Sequence, residues 1–395
     1  MEHFLFHIQD TEGKMKLVFA SDSFKGTLSS EQTVALLGKA AAEIFGECET
    51  SGVPVADGGE GTTDAVVLAR KGEKVYVDVH GPLMEPAKAY YGKLSDTEGI
   101  LEMAQASGLP MVPADKRNPL NTTTYGTGEL VNSMLDAGFT DISIAIGGSA
   151  TNDGGMGFAS ALGIKFFDAD GNILTGMGSD LEKVVRIDAS GLNPKAKAAK
   201  FHVMCDVTNP LCGKDGATYT FGAQKGGTPE ILDRLEAGMC NYRDVIIKTF
   251  GVNPDEKAGT GAAGGLGAAL YVYLNAEMKS GIDTVLDLIN FDDIIDGADL
   301  VVTGEGRTDW QSCFGKVMQG VGDRCKAKNI PVAALCGGLG RGYDGIYDHG
   351  VDSIMTTVDG PMPLEEALDK AEELYYMGAI RMFRFIRAGM KMRSC

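Results

Sequence analysis

Glycine-rich loops set between an apolar run and a helix constrain this chain more than any other feature. The fullest is Asp141–Gly163, DISIAIGGSATNDGGMGFASALG. An apolar run of strand length, Ile142–Ile146, breaks into Gly147, Gly148, Ser149, Ala150, Thr151, Asn152, Asp153, Gly154 and Gly155, and helix-compatible residues resume after Met156. Glycines serve a tight connection that needs positive φ. The same strand–loop–helix order also points unpaired N–H groups and a positive helix end at an anion. This stretch alone supports either reading.

The device recurs along the chain. Lys16–Ala20 reads as a buried strand, followed by the loop SDSFKG (21–26) and helical periodicity to Phe45, with Ser29 and Gln32 spaced as a capping box. Val53–Ala56 is short and apolar, and Asp57–Asp64 (DGGEGTTD) runs from it into a helix Ala65–Arg70. Val75–Val79 alternates as a strand, and the break at Gly81-Pro82 is the expected domain boundary. His202–Val207 ends on Asp206; Asp299–Val302 feeds the loop Thr303–Gln311; Ile330–Leu335 closes on Gly337-Gly338. Helices are expected over Pro229–Phe250, Val317–Ala327 and Pro363–Met390, and a hairpin over Ile164–Ile173. The threonines of NPLNTTTYGT (118–127) read as solvated turn residues or a ligand contact ahead of a helix. A Gly-x-Gly-x-x-Gly match at 259–264 follows no strand, so it reads as the start of a close-packed helix, not a dinucleotide loop.

Composition removes several classes of function. A net charge of -18 argues against a nucleic-acid or membrane-surface partner, though a phosphate ligand needs only local lysine and arginine. The cysteines, at 48, 205, 212, 240, 313, 325, 336 and 395, contain no Cys-x-x-Cys, which points to a reducing compartment and neither a disulfide framework nor a zinc site. The histidines form no ligand pair, and no apolar run reaches the roughly 18 residues of a membrane span. The first 14 residues lack the pattern of a signal peptide and read as an extension or an upstream start, so the expected location is cytoplasmic.

Acidic residues recur in the strand-end loops: Asp22, Asp57, Glu60, Asp64, Asp153, Asp206, Glu305 and Asp309. Cations join them at Lys25, Lys225, Arg307 and Lys316. Any one of these is a plausible turn or cap residue. Together they form the parts of phosphoryl transfer: carboxylates for Mg²⁺, cations for phosphate, and backbone cradles. No P-loop, serine-nucleophile elbow or protein-kinase set is present.

SDSFKGTLS, PVADGGEGTTDA, EMAQASGL, TTTYGTGEL, GGSATNDGGMG, CDVTNPLCG, FGAQKGG, GTGAAGGLGAA and TGEGRTDWQS, in this order, resemble the signature segments of the bacterial class I glycerate kinase family. The resemblance runs from about Lys16 to Gly338. It implies an α/β fold of two domains: a flavodoxin-like one from 15–80 plus 286–395, and an inserted one of restriction-enzyme-like topology from 81–285. It also implies ATP-dependent phosphorylation of D-glycerate, usually to 2-phosphoglycerate, with Mg²⁺, in a cleft between the domains of a monomer or homodimer. Ser21 and Ala223 stand where the family usually has proline, which relaxes two loops, and Trp310 is bulkier than expected.

On this resemblance Asp153 is the general base or a Mg²⁺ ligand, with Asp309 the alternative base. Lys25 and Arg307 hold the substrate carboxylate or the transferring phosphoryl group. Gly147, Gly148, Ser149, Asn152, Gly154, Gly155, Lys225 and Gly226 cradle ATP. Asp22, Ser23, Asp57, Gln311 and Lys316 join the substrate site, and Asp206 and Glu305 join the metal site. Two alternatives stay open: a non-catalytic sensor of a phosphorylated or sugar acid, and a kinase that makes 3-phosphoglycerate.

Overall fold

The computed structural model describes residues 14–392, so the expected extension lies outside them apart from Lys14. The chain forms two compact units. The smaller comprises the chain to Val53, Phe291–Cys313 and Val317 onward; the larger comprises Pro54–Asn290 and Phe314–Lys316.

The smaller unit is built on five parallel strands. In sheet order they are Ser353–Thr356, Val332–Cys336, Leu300–Gly304, Lys16–Ser21 and Glu49–Gly52. Numbered along the chain this is the order 2-1-3-4-5 of a flavodoxin-like doubly wound sheet. The central strands are apolar without interruption because helices cover both faces, and Leu17, Val18, Phe19, Val301 and Val302 are fully buried. Helix Ser30–Phe45 starts where the sequence indicates, with the Ser29–Gln32 capping box formed. It packs with helix Ala371–Met392, and Phe383 meets the rings of Phe19 and Phe45 at 6.2 and 5.5 Å.

The larger unit carries a six-stranded mixed sheet: Glu277–Lys279, Lys200–Met204, Asp141–Ala145, Glu98–Glu102, Pro86–Lys93 and Glu73–His80. The first four are parallel, and the last two add on antiparallel. Its core includes Met103, Leu130, Ile144, Phe158, Phe166, Tyr242 and Leu270.

Several expectations shift. The boundary placed at Gly81 falls near Val53, because Glu73–His80 pairs along its whole length with Pro86–Lys93 inside the larger unit. Glu49–Gly52 is the strand, not Val53–Ala56: Val53 donates the last bond to Phe19, and Pro54 has no N–H with which to continue. The C-terminal helix is two, Leu364–Asp369 and Ala371–Met392. Pro229–Phe250 and Val317–Ala327 occur with the expected bounds. The Gly-x-Gly-x-x-Gly stretch does lead into a tightly packed helix, Leu266–Leu274. A side chain on Gly264 would strike the Thr151 carbonyl at 2.0 Å.

Candidate active site

In an open α/β sheet, ligands bind outside the C-terminal strand ends where the winding reverses. In the smaller unit that point lies between Lys16–Ser21 and Leu300–Gly304, so the loops following these strands form the candidate site. Phe24 anchors the first loop: it is buried, with its ring edge-on to Tyr375 at 5.1 Å, which leaves Lys25 exposed beside it. The Asp22 N–H donates to Gly304 O at 2.9 Å, tying the first loop to the neighbouring strand end, and Asp22 Oδ1 accepts from the Ser23 N–H at 2.6 Å. Gly306 lies against Phe24, so the second loop borders the first. Arg307 is largely exposed, with Nε 3.7 Å from Asp309 Oδ2. Asp309 also accepts from the exposed Gln311 at 3.0 Å. Trp310 stands out in solvent.

Glu305 belongs to the foundation of this loop. It is buried, accepts from the Ser312 hydroxyl, and its carbonyl takes the Gly337 N–H at 3.1 Å. As a metal ligand it is poorly placed, since a hard cation needs carboxylate oxygens that can be reached.

The larger unit offers a second set of strand ends. Gly147 and Gly148 are exposed just beyond Asp141–Ala145, with Gly147 against the backbone of Gly58 and Gly59. Asp206 follows Lys200–Met204 and accepts from the Gly281 N–H at 2.9 Å. Asp206 is exposed, yet desolvation by the surrounding protein, then the Asp57 and Asp283 carboxylates, raise its carboxyl to about 6. Gly315 packs against this carboxylate, and Lys316 follows it. Asp57 Oδ1 accepts from Gly59 at 3.2 Å. Lys225 is 2% exposed, and its ammonium donates to Ser149 Oγ at 2.8 Å and Thr151 O at 2.7 Å. Burial lowers that ammonium to about 7, against the pull of Asp153. Gly226 has a left-handed φ of 94° and packs on the Arg117 carbonyl.

Asp153 lies deeper than its place in the loop suggests. It is 0% exposed. One oxygen accepts from the Thr124 N–H and hydroxyl, both at 2.7 Å, and from Gly157 at 3.2 Å; the other accepts from Gly155 at 3.0 Å. Burial pushes its carboxyl up while those donors oppose the shift. A carboxylate so enclosed holds the loop to the start of helix Met156–Ala161. The inner half of the proposed cradle is buried with it. Asn152 donates to Thr218 at 3.2 Å, and a side chain on Gly154 or Gly155 would strike Tyr242 at 2.6 Å or Ala269 at 2.4 Å. Only Gly147, Gly148 and the edge of Ser149 face outward. The threonine cluster is neither solvated nor ligand-facing: Thr122, Thr123, Thr124 and Thr127 are buried and bond to Ala150 O, Gly176 O, Asp153 and Ser107.

Two carboxylates escaped the sequence reading. Glu102 is buried and accepts from the Gly61 and Thr63 N–H groups at 3.2 and 2.7 Å, capping helix Thr62–Arg70, whose own N-cap residue, Gly61, has no side chain to do so. Asp283 joins the surroundings of Asp206 from 77 positions later in the chain. Its signal was the short strand Glu277–Lys279, too brief to register as a period.

A doubly wound parallel sheet with cations and acids at its switch point, and a second α/β unit with glycines and acids at its strand ends, define an α/β protein of two units with charged strand-end loops. The glycerate kinase family model matches residues 17–387, and the chain belongs to the glycerate kinase family. It is 44% identical over 379 residues to a glycerate kinase of Bacillus subtilis (strain 168), covering 96% of this chain and 98% of that one. It is 44% identical over 354 residues to a glycerate 2-kinase of Escherichia coli (strain K12), covering 89% and 93%. A crystal structure of a Salmonella typhimurium LT2 protein described as glycerate kinase 2 superposes with a TM-score of 0.87 at 42% identity, covering 96% of this chain and all of that one. The protein is accordingly a phosphotransferase.

Proposed function

We propose that this enzyme transfers the terminal phosphoryl group of ATP to D-glycerate and yields 2-phosphoglycerate, with Mg²⁺. The observation that carries the reading is the exposed pair of Lys25 and Arg307 on adjoining loops at the sheet's switch point, with Asp309 3.7 Å from the Arg307 guanidinium. Arg307 presents a planar fork suited to the glycerate carboxylate, and Lys25 a point charge suited to phosphate oxygens. Asp309 is the candidate base for the attacking hydroxyl, a role open to a half-buried carboxylate and closed to the enclosed Asp153. Asp22, Ser23 and Gln311 would line the acceptor.

Gly147, Gly148 and Ser149 would present N–H groups to the nucleotide phosphates, with Lys225 and Gly226 behind them. For Mg²⁺, the residues that fit are Asp206 and Asp57, hard oxygen donors whose mutual repulsion a divalent ion relieves. When bound, the ion would neutralise phosphate charge.

ADP release is to be measured with and without D-glycerate, and the product resolved as 2- or 3-phosphoglycerate. Glycerate-dependent ADP release with 2-phosphoglycerate supports the proposal. Binding without turnover would make the protein a sensor, and 3-phosphoglycerate would overturn the regiochemistry. Arg307→Ala should raise the KM for glycerate at least about tenfold.

A further inference from the structure

Two cysteines distant in sequence meet a buried glutamate inside the larger unit. Cys212 lies in the loop after Asp206; Glu236 and Cys240 sit one turn apart on helix Pro229–Phe250, hence on one face. One ligand atom from each lies within 4.8 Å of the other two. Cys212 is buried, Cys240 is half-buried, and Glu236 is 8% exposed. Glu236 Oε1 accepts from the Gly213 N–H at 2.6 Å and from the Cys240 thiol at 3.6 Å. Glu236 Oε2 is buried with no hydrogen-bond partner among the described residues. A buried carboxylate oxygen without a donor is costly, and here it lies beside two sulfurs.

We infer that Cys212, Glu236 and Cys240 form a binding site for one thiophilic divalent cation, zinc in type. Two thiolates and one carboxylate select a borderline-soft ion that accepts tetrahedral geometry, and they exclude Mg²⁺ and Ca²⁺, which take oxygen donors throughout. Zinc–ligand lengths of about 2.0–2.3 Å place tetrahedral donors about 3.5–3.8 Å apart. Binding would draw together donors that already lie within 4.8 Å of one another. Each thiol gives its proton to solvent on binding, and the ion takes up the orphaned oxygen. The fourth position would be left to water, and Cys240 is the partly exposed ligand. The Cys212 N–H bonds to Asp255 at 2.9 Å, and Asp255 in turn pairs with Arg243 at 3.1 Å, so the loop end of the site is already held. The role is structural: the ion would pin the loop at Cys212 to the helix just ahead of Ala217–Phe221 and Lys225.

The test uses the full-length protein, stripped with a chelator, kept reduced and titrated with Co²⁺ and then Zn²⁺. The expected result is one equivalent of Co²⁺ with thiolate-to-cobalt charge transfer and intense tetrahedral visible absorption, displaced by Zn²⁺. Cys240→Ser should lose the charge-transfer intensity in part and bind at least about tenfold more weakly. Glu236→Gln should weaken binding while retaining both sulfur bands. Circular dichroism verifies that each variant is folded, and the remaining cysteines serve as an internal control. A spectrum without charge transfer, or one unchanged in folded Cys240→Ser, would overturn the assignment.

Discussion

Asp153 carries the most informative side chain in the larger unit because every hydrogen bond it makes is to its own fold. With no exposed surface and four donors on its two oxygens, it organises the loop that exposes Gly147 and Gly148. Asp153→Asn puts an amide N–H₂ among N–H and O–H donors. The expected cost is about 2–4 kcal/mol of stability, read as a lower denaturation midpoint, with kcat per folded molecule nearly unchanged. A large loss of kcat at unchanged stability would restore it as a catalytic group.

Asp206 makes the opposite case. Its folded carboxyl lies near 6, above the ordinary value of 3.8, so the folded state binds the proton more tightly than the unfolded state. Its contribution to stability is therefore fully present below the unfolded value and is lost as pH rises through about 6. Desolvation is the main cause and repulsion from Asp57 and Asp283 adds to it; Mg²⁺ relieves that repulsion and favours the charged form. It should raise Tm more at about pH 7.5 than at about pH 5, and kcat/KM should climb through about pH 6 on the acid limb. Asp206→Asn should abolish the Mg²⁺ effect on Tm and lower kcat/KM at least about 100-fold. A Tm response to Mg²⁺ equal at both pH values would remove Asp206 from the metal site.

At the scale of elements, the loop–helix junctions rest on backbone contacts that leave no room for Cβ atoms. Gly155, at φ 72°, is the left-handed N-cap of Met156–Ala161 and packs against helix Leu266–Leu274. Gly155→Ala meets Ala269 at 2.4 Å and also strains the backbone. It should cost more than roughly 2 kcal/mol, measured by chemical denaturation. Elements with a local signature were legible before the structure: the Ser29–Gln32 capping box, the helix Pro229–Phe250 and the buried strand at Lys16 each follow from period and cap chemistry. The short strands Glu49–Gly52 and Glu277–Lys279 were not, because their residues are polar or few and their pairing comes wholly from neighbours remote in sequence.

For the whole molecule, the net charge of -18 implies self-repulsion in the folded state. Raising monovalent salt to about 0.3 M should lift Tm by about 2–4 °C in the absence of ligands, by screening that repulsion. A fall in Tm with salt would instead mean that ion pairs such as Arg70–Glu98 and Arg324–Asp292 stabilise the fold by more than the repulsion destabilises it.

The sequence by itself determined the α/β class, the strand-end loops, the smaller unit's candidate residues from Asp22 to Arg307, and the family to which the chain belongs. Each depends on order along the chain, which local chemistry writes directly. Only the tertiary structure decided which glycines and acids face outward. Asp153 and Asp206 both follow strands and look alike in sequence, but the first is enclosed by Thr124 and two backbone turns while the second stands among other carboxylates. Burial and the company of Cys212 with Glu236 and Cys240 depend on residues brought together from distant parts of the chain, and no local pattern records them.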